Sequence, residues 1–364
     1  MIRKLIKLLF LTVTIVSILL LLLSPLAWYV SPYRTSIFSF IGLAFPLILA
    51  SNVACLILWI LLKKRTIALI IGIALILCYK PVTTFFPLNF KRQRIPENSL
   101  KVLSYNVMGF LRESKKESAH PLLEYIARTD ADIVCLQEYM ISKTGKSLLT
   151  QSDVDKILNK YPYRSITGLE YSGKYHTYGL ACFSKYPITN THEFRFKNSY
   201  NGSALYTLDV NGETYMVSNN HLESNKISSS DKKLYSDFLI KRDYPTAVEV
   251  SSNIKKRMGR GYTERATQIQ QISDFIAQQK YDKLIVCGDF NDMPISYAYK
   301  KMKGDLVDAY VSTGFGPGVT YHEHLFLFRI DYILHSKNLK AHSTTVDKVK
   351  FSDHYPVITY LTEE

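Results

Sequence analysis

Residues 5–24 form an almost uninterrupted apolar run, and residues 36–62 form a second one without a single charge. A third, Thr66 to Tyr79, is shorter and extends through Val82 to Phe86. Because about 20 apolar residues cross a bilayer core, the sequence predicts three transmembrane helices in residues 1–80. A cleavable signal peptide would share the basic start at Arg3, Lys4 and Lys7, but its apolar core is shorter and no further apolar runs follow it.

Charge follows the same division. Residues 1–97 hold eleven Lys and Arg against one acid, Glu97, a net +10 that leaves only +4 of the chain's +14 for residues 98–364. Nucleic-acid affinity by charge would need those cations on the binding domain, so the basic balance argues little for such a partner. With three spans, the N-terminus and Lys63-Lys64-Arg65 place six cations on one side. Arg34, Lys80, Lys91, Arg92 and Arg94 place five on the other. The margin favours an inner-membrane, multi-pass chain whose C-terminal part lies outside the cytoplasm. The spans carry no internal charge, which excludes an ion or substrate path through them. Residues 81–98, with Pro81, Pro87, Pro96 and the basic Lys91–Arg94 cluster, have the composition of a semi-rigid juxtamembrane linker.

From residue 99 to 364 the pattern changes to short β runs. Lys101–Tyr105, Ile133–Leu136, Gly179–Ser184, Ala204–Val210, Tyr215–Ser218, Lys283–Val286, Ile330–Leu334 and Pro356–Leu361 read as strands. Residues 120–130 and 264–279 read as amphipathic helices, and Asn211-Gly212 as a hairpin turn. Hairpins mixed with helices predict one α/β catalytic domain of sheet packed on sheet with helices outside. Residues 224–262 are longer than an ordinary loop, either a solvated excursion or an arm that touches substrate or membrane. Cys135, Cys182 and Cys287 sit in strand-like runs and read as buried free thiols.

Six short motifs lie at strand ends: Ser104-Tyr105-Asn106, Leu136-Gln137-Glu138, Asn220-His221-Leu222, Gly288-Asp289-Phe290-Asn291, Arg329-Ile330-Asp331-Tyr332 and Ser352-Asp353-His354. Taken singly, each is more simply a rim residue or a self-capped turn. Together they supply what cleavage of a phosphate ester requires: carboxylates and amides for a hard cation, a water-positioning pair, and imidazoles that move protons near neutral pH. Asp331 lies in an apolar run where a charge needs a partner, and His354 is the natural one.

In that order and spacing the motifs resemble the endonuclease/exonuclease/phosphatase superfamily, whose members include deoxyribonuclease I, abasic-site endonucleases, neutral sphingomyelinases and inositol polyphosphate phosphatases. The resemblance covers about residues 98–364 and implies a four-layer α/β sandwich with the site at one edge of two sheets. It implies metal ligation by Glu138, with Asn106 beside it and Asp353 near the metal; magnesium is the expected ion and manganese the alternative. It further implies that Asp289 and Asn291 position the attacking water and the phosphate. His221 and His354 would bind phosphate or act as acid and base, with Asp331 behind His354, and Asn106, Asn291 and His221 would contact substrate. Many nuclease members carry an acid or amide where this chain has Met108, so one metal ion is expected rather than two.

His at position 221 resembles the deoxyribonuclease and sphingomyelinase branches, while Asp292-Met293-Pro294 departs from the inositol phosphatase pattern. The expected function is therefore a membrane-anchored phosphodiesterase, nuclease-like or phospholipase C-like, acting on nucleic acid or a phospholipid head group. A phosphomonoesterase on a lipid or sugar phosphate is the alternative, and a non-catalytic binding module with the same fold the alternative of another class. No protein partner is expected.

Overall fold

The structure, a computed structural model, describes residues 2–90, 94–111, 120–145, 149–169, 173–197, 199–225, 244–323 and 327–364. The N-terminal helices are α1 (Ile2–Leu23), α2 (Ile37–Leu43), α3 (Phe45–Leu61), α4 (Arg65–Leu77) and α5 (Tyr79–Phe85). Among the described residues, Lys4–Trp28, 25 residues, is the one continuous helical stretch long and apolar enough to cross a membrane, where three were expected. The other two expected spans are each broken, with α2 and α3 bent by 60° and α4 and α5 by 71°. A physical reason is visible at the first break. Pro46 opens α3 without an amide proton to donate and restricts Phe45 before it. The helices associate through apolar packing and through buried polar bonds. Asn52 Nδ2 donates to Ser17 O at 2.9 Å and Ser17 Oγ at 2.7 Å, and Trp59 Nε1 donates to Thr14 Oγ1 at 2.8 Å.

The remainder contains β1 (Leu100–Asn106), α6 (Pro121–Thr129), β2 (Ile133–Ser142), α7 (Gln151–Ile157), β3 (Tyr163–Gly168), β4 (His176–Ser184), β5 (Ile188–Arg195), β6 (Gly202–Val210), β7 (Glu213–His221), α8 (Tyr244–Ile276), β8 (Lys283–Asp289), α9 (Tyr297–Lys303), β9 (Val307–Asp308), α10 (Ala309–Thr313), β10 (Asp331–His335), β11 (Leu339–Val346) and β12 (Val357–Glu363). The strands form two six-stranded sheets, ordered β11-β12-β1-β2-β4-β3 and β5-β6-β7-β8-β10-β9. The central pairs β1–β2 and β7–β8 are parallel and the other pairs antiparallel.

Alternation along each strand sends one set of side chains between the sheets and the other outward. Val102, Ile133, Leu180, Tyr206, Val217, Ile285 and Ile333 fill the interior between the sheets, with the buried thiols of Cys135, Cys182 and Cys287 among them. Leu122, Leu123 and Ile126 of α6 cover the outer face of the first sheet, and Ile269, Ile272 and Ile276 of α8 that of the second. The two mixed sheets flanked by helices are the expected α/β sandwich.

All eight expected strands are present, most of them one to six residues longer than their patterns suggested. At the Asn211-Gly212 hairpin both residues adopt positive φ, 55° and 90°, as a tight turn between twisted strands requires. The helix expected at 264–279 is the C-terminal part of the 33-residue α8. Residues 226–243 of the expected arm, and Lys91 and Arg92 of the basic cluster, lie outside the described residues.

The helical segment and the sandwich share a packed contact. Ile295, in the loop after β8, is buried among Leu21, Trp28, Phe45 and Ala74. Trp28 Nε1 donates to Pro294 O at 2.8 Å. The residues expected as linker are partly helical and partly seated. Asn89 Nδ2 donates to Val311 O and Gly314 O, each at 2.9 Å, and Phe86 and Phe90 pack on Phe315. Gly42 is required at this contact, because a Cβ there would lie 2.0 Å from Ile295 O. Gly42→Ala is accordingly expected to destabilise the docked state by ~1–3 kcal/mol, the usual cost of overpacking. Limited proteolysis of the full chain in detergent, with cleavage at residues 86–98 as readout, would show faster cutting in the variant; unchanged rates would contradict the docking.

Candidate active site

The six motifs converge on one edge of the sandwich. Asn106, His221 and Asp289 end β1, β7 and β8. Asp331 begins β10, and His354 precedes β12, so these two lie at strand starts rather than ends. The parallel and antiparallel registers bring them together: His221 pairs with Asp289 across β7–β8, and Asp331 pairs with Asp289 across β8–β10.

Glu138 lies not at the end of β2 but inside it, at a bulge. Leu136 pairs with Ala181 and Tyr139 with Gly179, so Gln137 and Glu138 together oppose Leu180. Such an extra residue re-aims side chains, and Glu138 takes a left-handed φ of 51° to do so. Gly288 lets β8 approach β7 at the same level. Its φ is 121°, and a Cβ would lie 2.0 Å from Asn220 O. The sharp turn comes two residues after Asp289, at Asn291, whose φ is 53°. Asn291 is therefore aimed by a turn and not by extended alternation. Its amide N–H donates to Asp289 Oδ1 at 2.8 Å, and its Nδ2 donates to Leu222 O at 2.9 Å and Asp289 Oδ2 at 3.3 Å.

Asn106 is the hub. Its Nδ2 donates to Glu138 Oε1 and to Asp289 Oδ2, both at 3.1 Å, joining carboxylates from different sheets. Its Oδ1 accepts from the Met108 backbone N–H at 3.1 Å, which sets the amide's orientation. Ser352 Oγ donates to Asn106 O at 2.7 Å, attaching the loop that carries Asp353 and His354. Just beneath, Gln137 Nε2 donates to Asn219 Oδ1 at 2.7 Å, and Asn219 Nδ2 donates back to Leu136 O at 3.1 Å.

His354 Nδ1 lies 2.8 Å from Asp331 Oδ2, and its Nε2 lies 3.7 Å from Asp289 Oδ2. Burial pulls the imidazole's pKa down, but Asp331 and then Asp289 outweigh it and raise it to about 10. His221 Nε2 lies 3.6 Å from Glu138 Oε1 and 3.9 Å from Asp289 Oδ2. Burial, reinforced by the positive His354, lowers its pKa to about 3, so it is neutral. Burial and Asp331 raise Asp289 to about 7 against the opposing effect of His354. Glu138 is also raised, first by burial and then by Asp353, with the Asn106 bond opposing.

These carboxylates are short of positive charge. Asp289, Asp331 and His354 form the one tight group of candidate ligands among the described residues, and the buried Asp331 Oδ1 has no hydrogen-bond partner. Glu138 lies beside this group, joined to Asp289 through the Asn106 amide. Carboxylates and an amide carbonyl oxygen at one sheet edge are the donor types that fit a hard divalent ion. Asp353 is half-buried, accepts from Ser352 Oγ at 3.2 Å, and raises Glu138 through its charge, so it lies within electrostatic reach.

Motif spacing did not single out some neighbours. Tyr178 on β4 lies close enough to Glu138 and Asp289 for their charges to raise its pKa, after burial. Tyr321 packs edge-on against His354 at 5.1 Å, and Thr320 Oγ1 accepts from the Asp331 N–H at 3.1 Å. Asp292, at first only a departure from a family pattern, is buried and ion-paired to Arg265 of α8 at 3.2 Å. No local signal identifies Tyr178 or Arg265, since their relevance comes from sheet pairing and helix packing.

Residues 103–354 match the Endonuclease/Exonuclease/phosphatase family. The chain belongs to that family. Its members are hydrolases of phosphate esters and typically depend on a divalent metal. Residues 6–85 match a second family, described as a domain of unknown function. A search of curated proteins found no match. Among solved structures, an endonuclease/exonuclease/phosphatase family protein from Leptotrichia buccalis C-1013-b is similar, with a TM-score of 0.52 and 19% identity over 72% of this chain and 99% of that one. The human Nocturnin catalytic domain with bound sulfate is similar at a TM-score of 0.51 and 18% identity, over 74% and 97% of the two chains. The family protein from Beutenbergia cavernae DSM 12333 gives 0.50 and 15%, over 74% and 72%. At these identities the likeness concerns the fold.

For the family site, the electrostatics make a prediction in chelator-treated protein. Asp289 is raised from 3.8 to about 7, so its contribution to stability is complete below 3.8 and is lost as pH rises through 7. Asp289→Asn keeps the shape without that loss. Its melting temperature relative to wild type is expected to rise between pH 5 and pH 8, measured by thermal scans at each pH. A pH-independent difference would contradict the assigned shift.

Proposed function

We propose that this chain is a membrane-anchored, magnesium-dependent phosphodiesterase. On this reading residues 1–80 are the anchor, 81–98 the juxtamembrane connection and 99–364 the catalytic domain. The observation that carries the proposal is the joining of Glu138 and Asp289 by the one Asn106 amide, with the His354–Asp331 pair facing the same carboxylate. Glu138 and Asn106, with Asp353 nearby, would hold the metal. When bound, magnesium, or manganese in its place, neutralises phosphate charge and stabilises the departing oxygen.

The residues themselves then divide the reaction. Asp289, with Asn291 beside it, orients water and accepts its proton as the water oxygen forms a bond to phosphorus. The ester P–O bond breaks on the opposite side. His354, protonated and held by Asp331, gives its Nε2 proton to the leaving oxygen. His221, neutral in its buried position, hydrogen-bonds the phosphate without adding charge, and Asn106 and Asn291 offer further amide donors.

The membrane part of the proposal is supported by the Lys4–Trp28 helix and by the course of the chain. The turn after α1, the end of α2 at its break with α3, and the end of α5 all meet the sandwich, through Trp28, Gly42 and Thr84. The N-terminus and Lys63-Lys64-Arg65 lie at the far ends of those helices, which favours an inner-membrane protein whose catalytic domain faces away from the cytoplasm. Such a location suits a phospholipid head group or an extracytoplasmic nucleic acid.

Activity with the full chain in detergent tests the chemistry. Hydrolysis of bis-p-nitrophenyl phosphate is expected only with magnesium or manganese, and to fall by ~10²–10⁴-fold in Asp289→Ala and His354→Ala with retained folding. kcat/KM is expected to rise with pH as Asp289 deprotonates and to fall at higher pH as His354 deprotonates, the bound cation shifting both below their metal-free values of about 7 and about 10. Wild-type turnover in either variant would reject the site. A panel of DNA, RNA, sphingomyelin and phosphoinositides then selects the substrate, and release of inorganic phosphate in place of a diester fragment would favour the phosphomonoesterase. Retention of the chain in membranes through alkaline carbonate washing separately tests embedding.

A further inference from the structure

Away from the catalytic edge, α8 and the start of α2 enclose an open groove of about 610 Å³. Lys255, Lys256 and Arg260 line it from α8, together with Thr263 and one acid, Glu264, and Ser36 closes it from the N-terminal segment. The one-turn spacing of 255/256, 259/260 and 263 puts these residues on one helical face. The three cations are exposed, and none has an ion-pair partner among the described residues. Ser36 precedes α2 yet makes no side-chain capping bond, so its hydroxyl remains a donor toward the groove. Thr263 Oγ1 already donates to Gly259 O at 3.0 Å and serves as wall rather than donor. The groove thus offers three positive charges and a hydroxyl against one carboxylate, a composition suited to a phosphate.

Its position narrows the source of that phosphate. Ile37, the residue after Ser36, opens the bent apolar pair Ile37–Leu43 and Phe45–Leu61 and is itself 60% exposed. Tyr29 and Tyr33, also exposed, precede it, as aromatic residues do at a membrane–water boundary. Helix α8 is held along this boundary. Gly259 faces Ser36, Tyr262 packs edge-on against Phe40 at 5.5 Å, and Thr267 hydrogen-bonds Tyr33. The groove therefore opens at the level where apolar chain gives way to polar, the depth of lipid head groups. On either face of a membrane, cations clustered at that depth attract anionic head groups by charge.

We infer that Lys255, Lys256, Arg260 and Ser36 form a binding site for the head group of an anionic phospholipid, separate from the catalytic cluster. The inference rests on the membrane embedding proposed above. The bound lipid would brace α8, whose Arg265 holds both Glu223 O and the Asp292 carboxylate next to Asn291.

Titration of the purified full chain in uncharged detergent tests this, with native mass spectrometry reading bound lipid. Short-chain phosphatidylglycerol is expected to bind at least ~tenfold more tightly than phosphatidylcholine of the same chain length. Lys255→Gln/Lys256→Gln/Arg260→Gln should remove that preference, and Lys255→Arg/Lys256→Arg/Arg260→Lys should restore it. Equal binding of the two lipids, or an unchanged preference in the Gln variant, would overturn the site. Displacement of phosphatidylglycerol by inorganic phosphate at equal concentration would overturn the lipid as its ligand. The titration needs no membrane, so release of the chain by carbonate would count against embedding and leave the groove to be judged by its own result.

Discussion

The amide of Asn106 holds together two carboxylates that would otherwise repel. Glu138 belongs to one sheet and Asp289 to the other, yet both accept from the same nitrogen at 3.1 Å. Burial makes their ionised forms costly, and amide donors with the one cationic imidazole of His354 offset only part of that cost, so both carboxyls stay raised. The Asn291 N–H and the imidazole of His354 face Asp289, and the ring is oriented by Asp331. The Gln137–Asn219 bond ties the sheets just below. The candidate site and the sheet-to-sheet contact are thus one structure, and a shift of either sheet would separate the carboxylates.

The same logic extends to the N-terminal helices. The loop that follows Asn291 does not end in solvent. Asp292 pairs with Arg265, and Ile295, three residues on, is part of the helical core beside Trp28 and Phe45. Arg329, two residues before Asp331, reaches the Thr84 carbonyl of α5. Two of the six site segments are therefore held partly by the N-terminal helices and the residues just after them. If the helical segment is the proposed anchor, such contacts would position the candidate site as well as tether it.

Periodicity exposed the long, buried strands because a half-buried strand alternates and a central one is continuously apolar. The edges escaped it. β3 and β5 are mostly half-exposed, with mixed side chains that resemble loop, and β9 has only two residues. The bends between α2 and α3 and between α4 and α5 also escaped, since hydropathy averages over a window and does not register a change of direction. In the site, the motifs identified Asn106, Glu138, His221, Asp289, Asn291, Asp331, Asp353 and His354, but not how each is aimed. Glu138 depends on a bulge and Asn291 on a left-handed turn, and neither conformation is written in the motif itself.

Residue types and their order were enough to specify a helical apolar segment, a two-sheet α/β domain and a set of groups competent for phosphate-ester chemistry, because apolar periodicity and functional-group chemistry are local properties. Which histidine is charged, which carboxylate resists ionisation and which loop rests on the N-terminal helices were decided only by the fold. His354 and His221 are the same side chain in similar strand-edge positions, yet one is held cationic by Asp331 and Asp289 and the other neutral by burial. Those fields arise from residues as far apart as 106, 289 and 354. Only the registers of two packed sheets bring such distant positions within a few ångströms.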